Sequence, residues 1–171
     1  MIDRVVTGGQ TGADQAAWRA ARAAGVPTGG WMPCGWLTET GPRPEFADEF
    51  GAAEHPGTGD AASDHTARTR RNAGDGDVTL WFGTTDTPGA RATLGACRDL
   101  GRPCLVIVAD ETKPDDVAAW LAARGARVVN VAGNRESLEP GIGARVERFL
   151  GDVFRRMRPG SVLPNATPDP P

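Results

Sequence analysis

Thr7-Gly8-Gly9-Gln10-Thr11-Gly12-Ala13-Asp14 is the stretch on which the reading of this chain turns, because its glycines separate an apolar strand pattern from a helical one. On the amino side, Ile2 to Thr7 reads as a strand, with Val5 and Val6 β-branched. On the carboxyl side, Ala13, Ala16, Ala17, Ala20 and Ala24 recur at the spacing of one helical face, until Gly25 and Pro27 stop it. Glycine between the two lets main-chain amides approach a ligand, and a helix N-terminus adds about half a positive charge. The stretch predicts a strand-turn-helix unit with an oxyanion cradled on the amides of Gly8, Gly9, Gln10, Thr11 and Gly12. Neither standard phosphate loop is met: Thr7 stands where G-x-G-x-x-G needs its first glycine, and no Gly-Lys pair follows.

Outward from this unit, residues Thr28 to Gly59 show neither period and read as a long loop, ordered by Trp31, Trp36, Phe46 and Phe50. Ser63 with Asp64 can cap a helix through about Asn72. Val78 to Phe82 is a strand, and a helix starts near Pro88 and ends by Gly101 and Pro103. Cys104 to Ala109 is an unbroken apolar run, as in a strand covered on both faces. Pro114 to Ala123 reads as helix, Arg127 to Val131 as strand, and Ile142, Val146, Phe149, Leu150, Val153, Phe154 and Met157 mark one stripe of a last helix. The alternation predicts an α/β fold, an open and mostly parallel sheet with helices on both faces, in a single ligand-binding domain over 1–157. Residues 158–171 hold five of the 14 prolines and read as a flexible tail.

A length of 171 residues fits one domain. The net charge of -3 gives no general attraction to nucleic acid or to an anionic membrane. Lys113 is the only lysine among 19 basic residues, but a GC-rich coding bias raises Arg, Ala, Gly and Pro together, so only positioned arginines carry weight. Cys34, Cys97 and Cys104 lack the paired spacing of zinc or redox motifs, and His55 and His65 read as loop or surface positions, so no metal site is expected. With no leader or membrane-spanning pattern, the expected location is the cytoplasm.

Further candidates lie where other strands end. Gly89 follows Pro88 at the start of a helix that also carries Thr93, and two such N-termini would converge at the carboxyl edge of the sheet. Arg68, Arg70 and Arg71 read first as a solvated face, with Arg68 and Arg71 sharing one side. Asp77 could accept from a ribose hydroxyl or cap a turn. Asn130, Arg135, Glu136 and Ser137 are placed either to bind or to tie down a turn.

Together these motifs resemble the putative molybdenum carrier family, similar to the molybdenum cofactor carrier protein and grouped with the nucleotide-binding superfamily of the Lonely Guy phosphoribohydrolases. The resemblance spans roughly Val5 to Leu150. It rests on GGQTGAD at Gly8 to Asp14, on GGW-x-P-x-G at Gly29 to Gly35 with Glu39 and Gly41, on Arg68-Thr69 with Asn72, on Asp77 with Thr79, and on NVAG-x-RES at Asn130 to Ser137. It implies a Rossmann-like fold, a homo-oligomer (dimer or tetramer) and a pocket for a small anionic ligand, a nucleotide or the molybdenum cofactor. Taken with the readings above, the expected contacts are Gly8, Gly9, Gln10, Thr11, Gly12, Asp14, Gly30, Trp31, Arg68, Asn72, Asp77, Gly89, Thr93, Arg135 and Glu136, with Trp31 or Trp36 covering a ring. Departures fall at Cys34 and Trp36, where the family has basic residues, at His65, where it has tyrosine, and at Pro88-Gly89-Ala90, where it has a Gly-Gly-Thr turn. The phosphoribohydrolases' catalytic glutamate has no counterpart from Pro88 to Leu100. A non-hydrolytic carrier or sensor is therefore the first expectation, and an enzyme hydrolysing a nucleotide derivative through Asp14, Asp77 or Glu136 the alternative.

Overall fold

The computed structural model describes residues 1–57 and 61–158. Its centre is a six-stranded sheet, built from β1 (Arg4–Val6), β2 (Thr28–Met32), β5 (Ala52–Glu54), β6 (Val78–Phe82), β7 (Cys104–Ile107) and β8 (Val128–Gly133) in the spatial order β5-β2-β1-β8-β6-β7. Every pairing in it is parallel. Helices α1 (Ala13–Ala23), α5 (Pro114–Ala123) and α6 (Ile142–Arg156) pack together on one face. Helices α3 (Ala61–Asp75) and α4 (Pro88–Asp99) pack together on the other. This is the open Rossmann-like α/β arrangement that the strand and helix alternation predicts.

The helical faces explain the layers. The alanines of α1 and the stripe Ile142, Val146, Leu150, Val153 and Phe154 of α6 are buried with Val5, Leu80, Val129 and Val131 in one core. Thr87 caps α4, its Oγ1 accepting from the Ala90 amide at 3.1 Å, and Pro88 takes the first helical position where no N–H is needed.

Three readings need correction. Residues 28–57 are not a loop: they hold β2, a tight turn at Cys34–Trp36, the antiparallel pair β3 (Leu37–Thr38) and β4 (Gly41–Pro42), the short helix α2 (Phe46–Phe50) and β5. Their aromatics make a second core, Trp18 stacking on Phe50 at 4.7 Å between centroids, with Met32, Phe46 and Ala52 around it and Trp36 against it. The run from Cys104 is a sheet edge: Leu105 and Ile107 pack on one core and Cys104 on the other, but Cys104, Leu105 and Val106 stay half-buried, so its cover on the two faces is partial. Ser63 and Asp64 lie inside the first turn of α3 instead of ahead of it. The proline-rich tail falls, apart from Arg158, outside the described residues.

Gly30 is where the sheet demands glycine. Its φ is +123°, and a Cβ there would sit 2.1 Å from the Thr7 carbonyl oxygen on the neighbouring strand. The chain leaves β1 toward β2 and leaves β6 toward β7, in opposite directions, with β8 between them. Open α/β sheets form their ligand crevice at such a point, beyond the carboxyl ends of the strands.

Candidate functional site

A cleft of about 340 Å³ lies there, between α3 and α4 and over the carboxyl end of β8. Of the residues expected at a site, it gathers Gly8, Gln10, Asp14, Arg68, Asn72, Gly89, Thr93 and Arg135 along its walls. Trp81 forms part of the lining; its indole is 2% exposed, and its Nε1 donates to the Gly83 and Thr84 carbonyls, holding the β6–α4 loop.

Most of the amide cradle expected at the first helix is already used by the protein itself. Gly9 N–H donates to Thr7 Oγ1 at 3.1 Å, Gln10 N–H to Asp14 Oδ2 at 3.2 Å, Thr11 N–H to its neighbour's Gln10 Oε1 at 3.1 Å, and Ala13 N–H to the Asn134 carbonyl at 3.3 Å. The carboxylate of Asp14 stands where a bound anion was expected. Glu39 closes the outer side of the same loop: its amide donates to Gln10 Oε1, and its carboxylate accepts from Thr11 Oγ1 and from Ser137. Gly9 faces Met32 and Trp18, and Gly12 packs against the backbone of residues 134–136, so both glycines serve close packing.

Several other candidates are placed elsewhere. Asp77 lies at the amino end of β6, the far side of the sheet, where its Oδ2 accepts from the Arg127 and Val128 amides at 2.9 and 2.8 Å. Those bonds hold its carboxyl below the usual range. Glu136 turns toward α6 and accepts from the Gly141 and Gly143 amides, acting as that helix's cap. Gly30 is taken up by the β1–β2 contact. Trp31 is outside the cleft, its indole covered by Arg71 at 3.6 Å and donating to Asp75, and Trp36 belongs to the aromatic core. Arg68 and Arg71 therefore part company, one lining the cleft and the other on β2. Asn72 lines the cleft, but its amide is committed to both the N–H and the carbonyl of Trp31. Asn130 is within β8 and not in the turn that follows, but it too lines the cleft, and its amide donates to Thr79 Oγ1 at 3.1 Å.

His65, read as a surface residue, lines the cleft. Burial first, then the charges of Arg68 and Arg135, lower its pKa, so it faces the cleft as a neutral imidazole. Its signal was present in the spacing of α3, since His65, Arg68, Thr69 and Asn72 follow the three-and-four rule of one helical face. Trp81 was likewise legible as an alternate residue near the carboxyl end of a central strand.

The electrostatics centre on Arg68. Its side chain is 13% exposed, its nearest carboxylate oxygen is Asp14 Oδ2 at 4.0 Å, too long for a hydrogen bond, and its Nε is buried without an acceptor. Arg135 reaches the same cleft and has no ion-pair partner among the described residues. Burial raises the Asp14 carboxyl to about 6, against the opposing pull of Arg68 and the Gln10 and Gly8 amides. The cleft thus holds two guanidinium groups against one reluctant carboxylate, which favours an anionic occupant.

Asp14 gives a pH prediction. Below pH ~4 both folded and unfolded chains hold its proton; between ~4 and ~6 only the folded chain does; above ~6 neither does. Its contribution to folding stability is therefore lost as pH rises through that window, by about 3 kcal/mol at pH 7. Asp14→Asn keeps an acceptor for the Gln10 amide and removes the titration, so in urea unfolding the variant gains on the parent between pH 4 and pH 7. Parallel stability curves across that range would show that this carboxyl does not titrate there.

Fold and cleft together define a Rossmann-like ligand-binding protein. Residues 5–154 match the Circularly permutated YpsA SLOG family, and the chain belongs to it. It is similar to the crystal structure of a putative molybdenum carrier protein from Syntrophus aciditrophicus SB, with 34% identity and a TM-score of 0.77 over 90% of this chain and 94% of that one. The resemblance drawn from the sequence motifs is borne out by both. No curated protein matches this chain. No helix among the described residues is long and apolar enough to cross a membrane, and no three His, Cys, Asp or Glu side chains among them are grouped to hold a metal ion.

Proposed function

We propose that the cleft binds the phosphate end of a nucleotide or of a molybdopterin-like molecule, and that the protein carries or senses that ligand without cleaving it. The observation that supports this best is the buried Nε of Arg68, an uncommitted donor on a cation already placed in the cleft wall. A guanidinium fork takes two phosphate oxygens at once. The Gly89 amide, at the second position of α4, is a further donor, since only Ala90 is served by the Thr87 cap. The phosphate therefore sits by α3 and the start of α4, and not on the turn before α1. Trp81 supplies an apolar wall for a ring, and the cavity volume falls within the range of small-molecule sites. The molybdenum cofactor fits this arrangement through its phosphate and its ring; it would bring its own metal ligation.

Calorimetric titration of the folded protein with AMP, GMP, inorganic phosphate, molybdate and molybdopterin tests the proposal. A phosphate-bearing compound binds at one site per chain, and folded protein that binds none of them ends the reading. The enzymatic alternative keeps one group, Asp14, whose raised pKa suits an acid or base. Nucleoside monophosphates incubated at high protein concentration and recovered intact would count against it. We propose in addition, on the family resemblance alone, a cytoplasmic protein that assembles as a dimer or tetramer, a mass that light scattering reads directly.

A further inference from the structure

A second and larger cavity, about 630 Å³, opens on the opposite face of the sheet, between the carboxyl ends of β6 and β7 and the outer side of α6. The β6–α4 loop divides it from the cleft: Thr84 and Thr85 line this cavity, whereas Pro88 and Gly89 line the other. The alternation of β6 accounts for the split, since Trp81 and Phe82 point to opposite faces. The inner wall is apolar, made by Phe82 and Phe149 packed edge to face at 5.7 Å between centroids and by Ile107. Val108, 45% exposed, stands at the rim.

The rim is a built turn. Val108 N–H donates to Thr112 Oγ1 and the Val108 carbonyl accepts from the Thr112 amide, both at 3.0 Å. Between them Asp110 adopts a left-handed φ of +65°, a conformation few non-glycine residues take.

The charged side chains around the cavity are mostly spoken for. Arg145 pairs with Glu139, and Asp152 with Arg155. Arg148 has no ion-pair partner among the described residues, nor has Asp110 on the rim. An apolar hollow of this size with one uncommitted guanidinium is matched by an apolar body with one anionic end. The nearby Asp110 carboxylate works against a second negative charge.

We infer that this cavity is a second ligand site, distinct from the phosphate cleft, and that it takes a small aromatic monoanion such as an aryl carboxylate or sulfonate. The ring lies against Phe82, Phe149 and Ile107, and the anionic end meets Arg148. The inference does not depend on what occupies the other cleft.

The probe is 8-anilinonaphthalene-1-sulfonate, followed by fluorescence on native protein whose near-ultraviolet circular dichroism shows intact packing. Saturable binding at one site is expected. Arg148→Ala, at an exposed helix position, weakens it about tenfold or more, and Val108→Glu weakens it similarly by adding a carboxylate at the rim. Phenylacetate displaces the probe, benzylamine does not, and Arg68→Ala leaves its affinity unchanged. The inference is overturned if folded protein shows no saturable binding, if Arg148→Ala binds like the parent, or if benzylamine competes as well as phenylacetate. It is also overturned if the probe fails to bind while Val108→Glu converts an oligomer to a smaller species, because the face is then an interface between copies of the chain.

Discussion

Arg68→Ala lowers the affinity for AMP by one to two orders of magnitude while the protein stays folded. Each charge-assisted hydrogen bond is worth about 1.5 to 3 kcal/mol, and the alanine variant loses the whole fork. The loss is large because the Arg68 side chain is only 13% exposed and its Nε has nothing else to serve. Arg68→Lys keeps the charge but presents a point cation in place of a planar fork, so it falls between the parent and the alanine variant. Folding survives because Asp14, deprived of its neighbouring cation, can take up a proton near neutrality; its carboxyl already titrates at about 6. Calorimetry on both variants reads the effect. A folded Arg68→Ala protein that binds AMP like the parent would remove the cleft from consideration as an anion site.

Gly30→Ala costs folding outright, on the order of 4 kcal/mol or more. Two independent penalties act at this position. The φ of +123° is strained for any L side chain, and the added methyl would lie 2.1 Å from the Thr7 carbonyl oxygen and 2.6 Å from its nitrogen. Neither atom can yield, since Thr7 N–H donates to the Gly29 carbonyl and fixes the two strands together. Gly151→Ala is the contrasting change, in the interior of α6, where a Cβ meets nothing within 4 Å. There the loss of glycine's backbone freedom stabilises by about 0.5 to 1 kcal/mol. Denaturant unfolding of both variants separates the two effects, and equal stabilities would mean that the β1–β2 approach is looser than described.

The fold was legible where one period dominated. Val78–Phe82 and Pro114–Ala123 carry their structure in local pattern alone, and both are found within the limits read from the sequence. Residues 28–57 show neither period because their strands are short and glycine-bearing: Gly30 in β2 lets two strands meet closely but contributes no side chain to a pattern. The Cys104 run misled for another reason: an all-apolar strand can lie at an edge when helices and a cavity take up its side chains. At the site, the types of residue were readable and their commitments were not. Asp14 and Arg68 face one cleft, but Asp77 and Glu136 spend their oxygens on main-chain amides that became neighbours only through folding. Glycine spacing likewise announces free amides before α1, and gives no hint that Thr7, Gln10 and Asp14 occupy those of Gly9, Gln10 and Thr11.

The position of β8 bears on how the chain is made. Among the described residues it is the last strand along the chain, yet it fills the gap between β1 and β6, and α6 behind it covers α1. Until residues 128–156 leave the ribosome, two apolar strand borders stay open and the alanine face of α1 has no cover. Unpaired borders of this kind recruit other chains. A nascent polypeptide halted before Val128 should therefore depend on chaperones to remain in solution, a burden that ends when β8 slots into place.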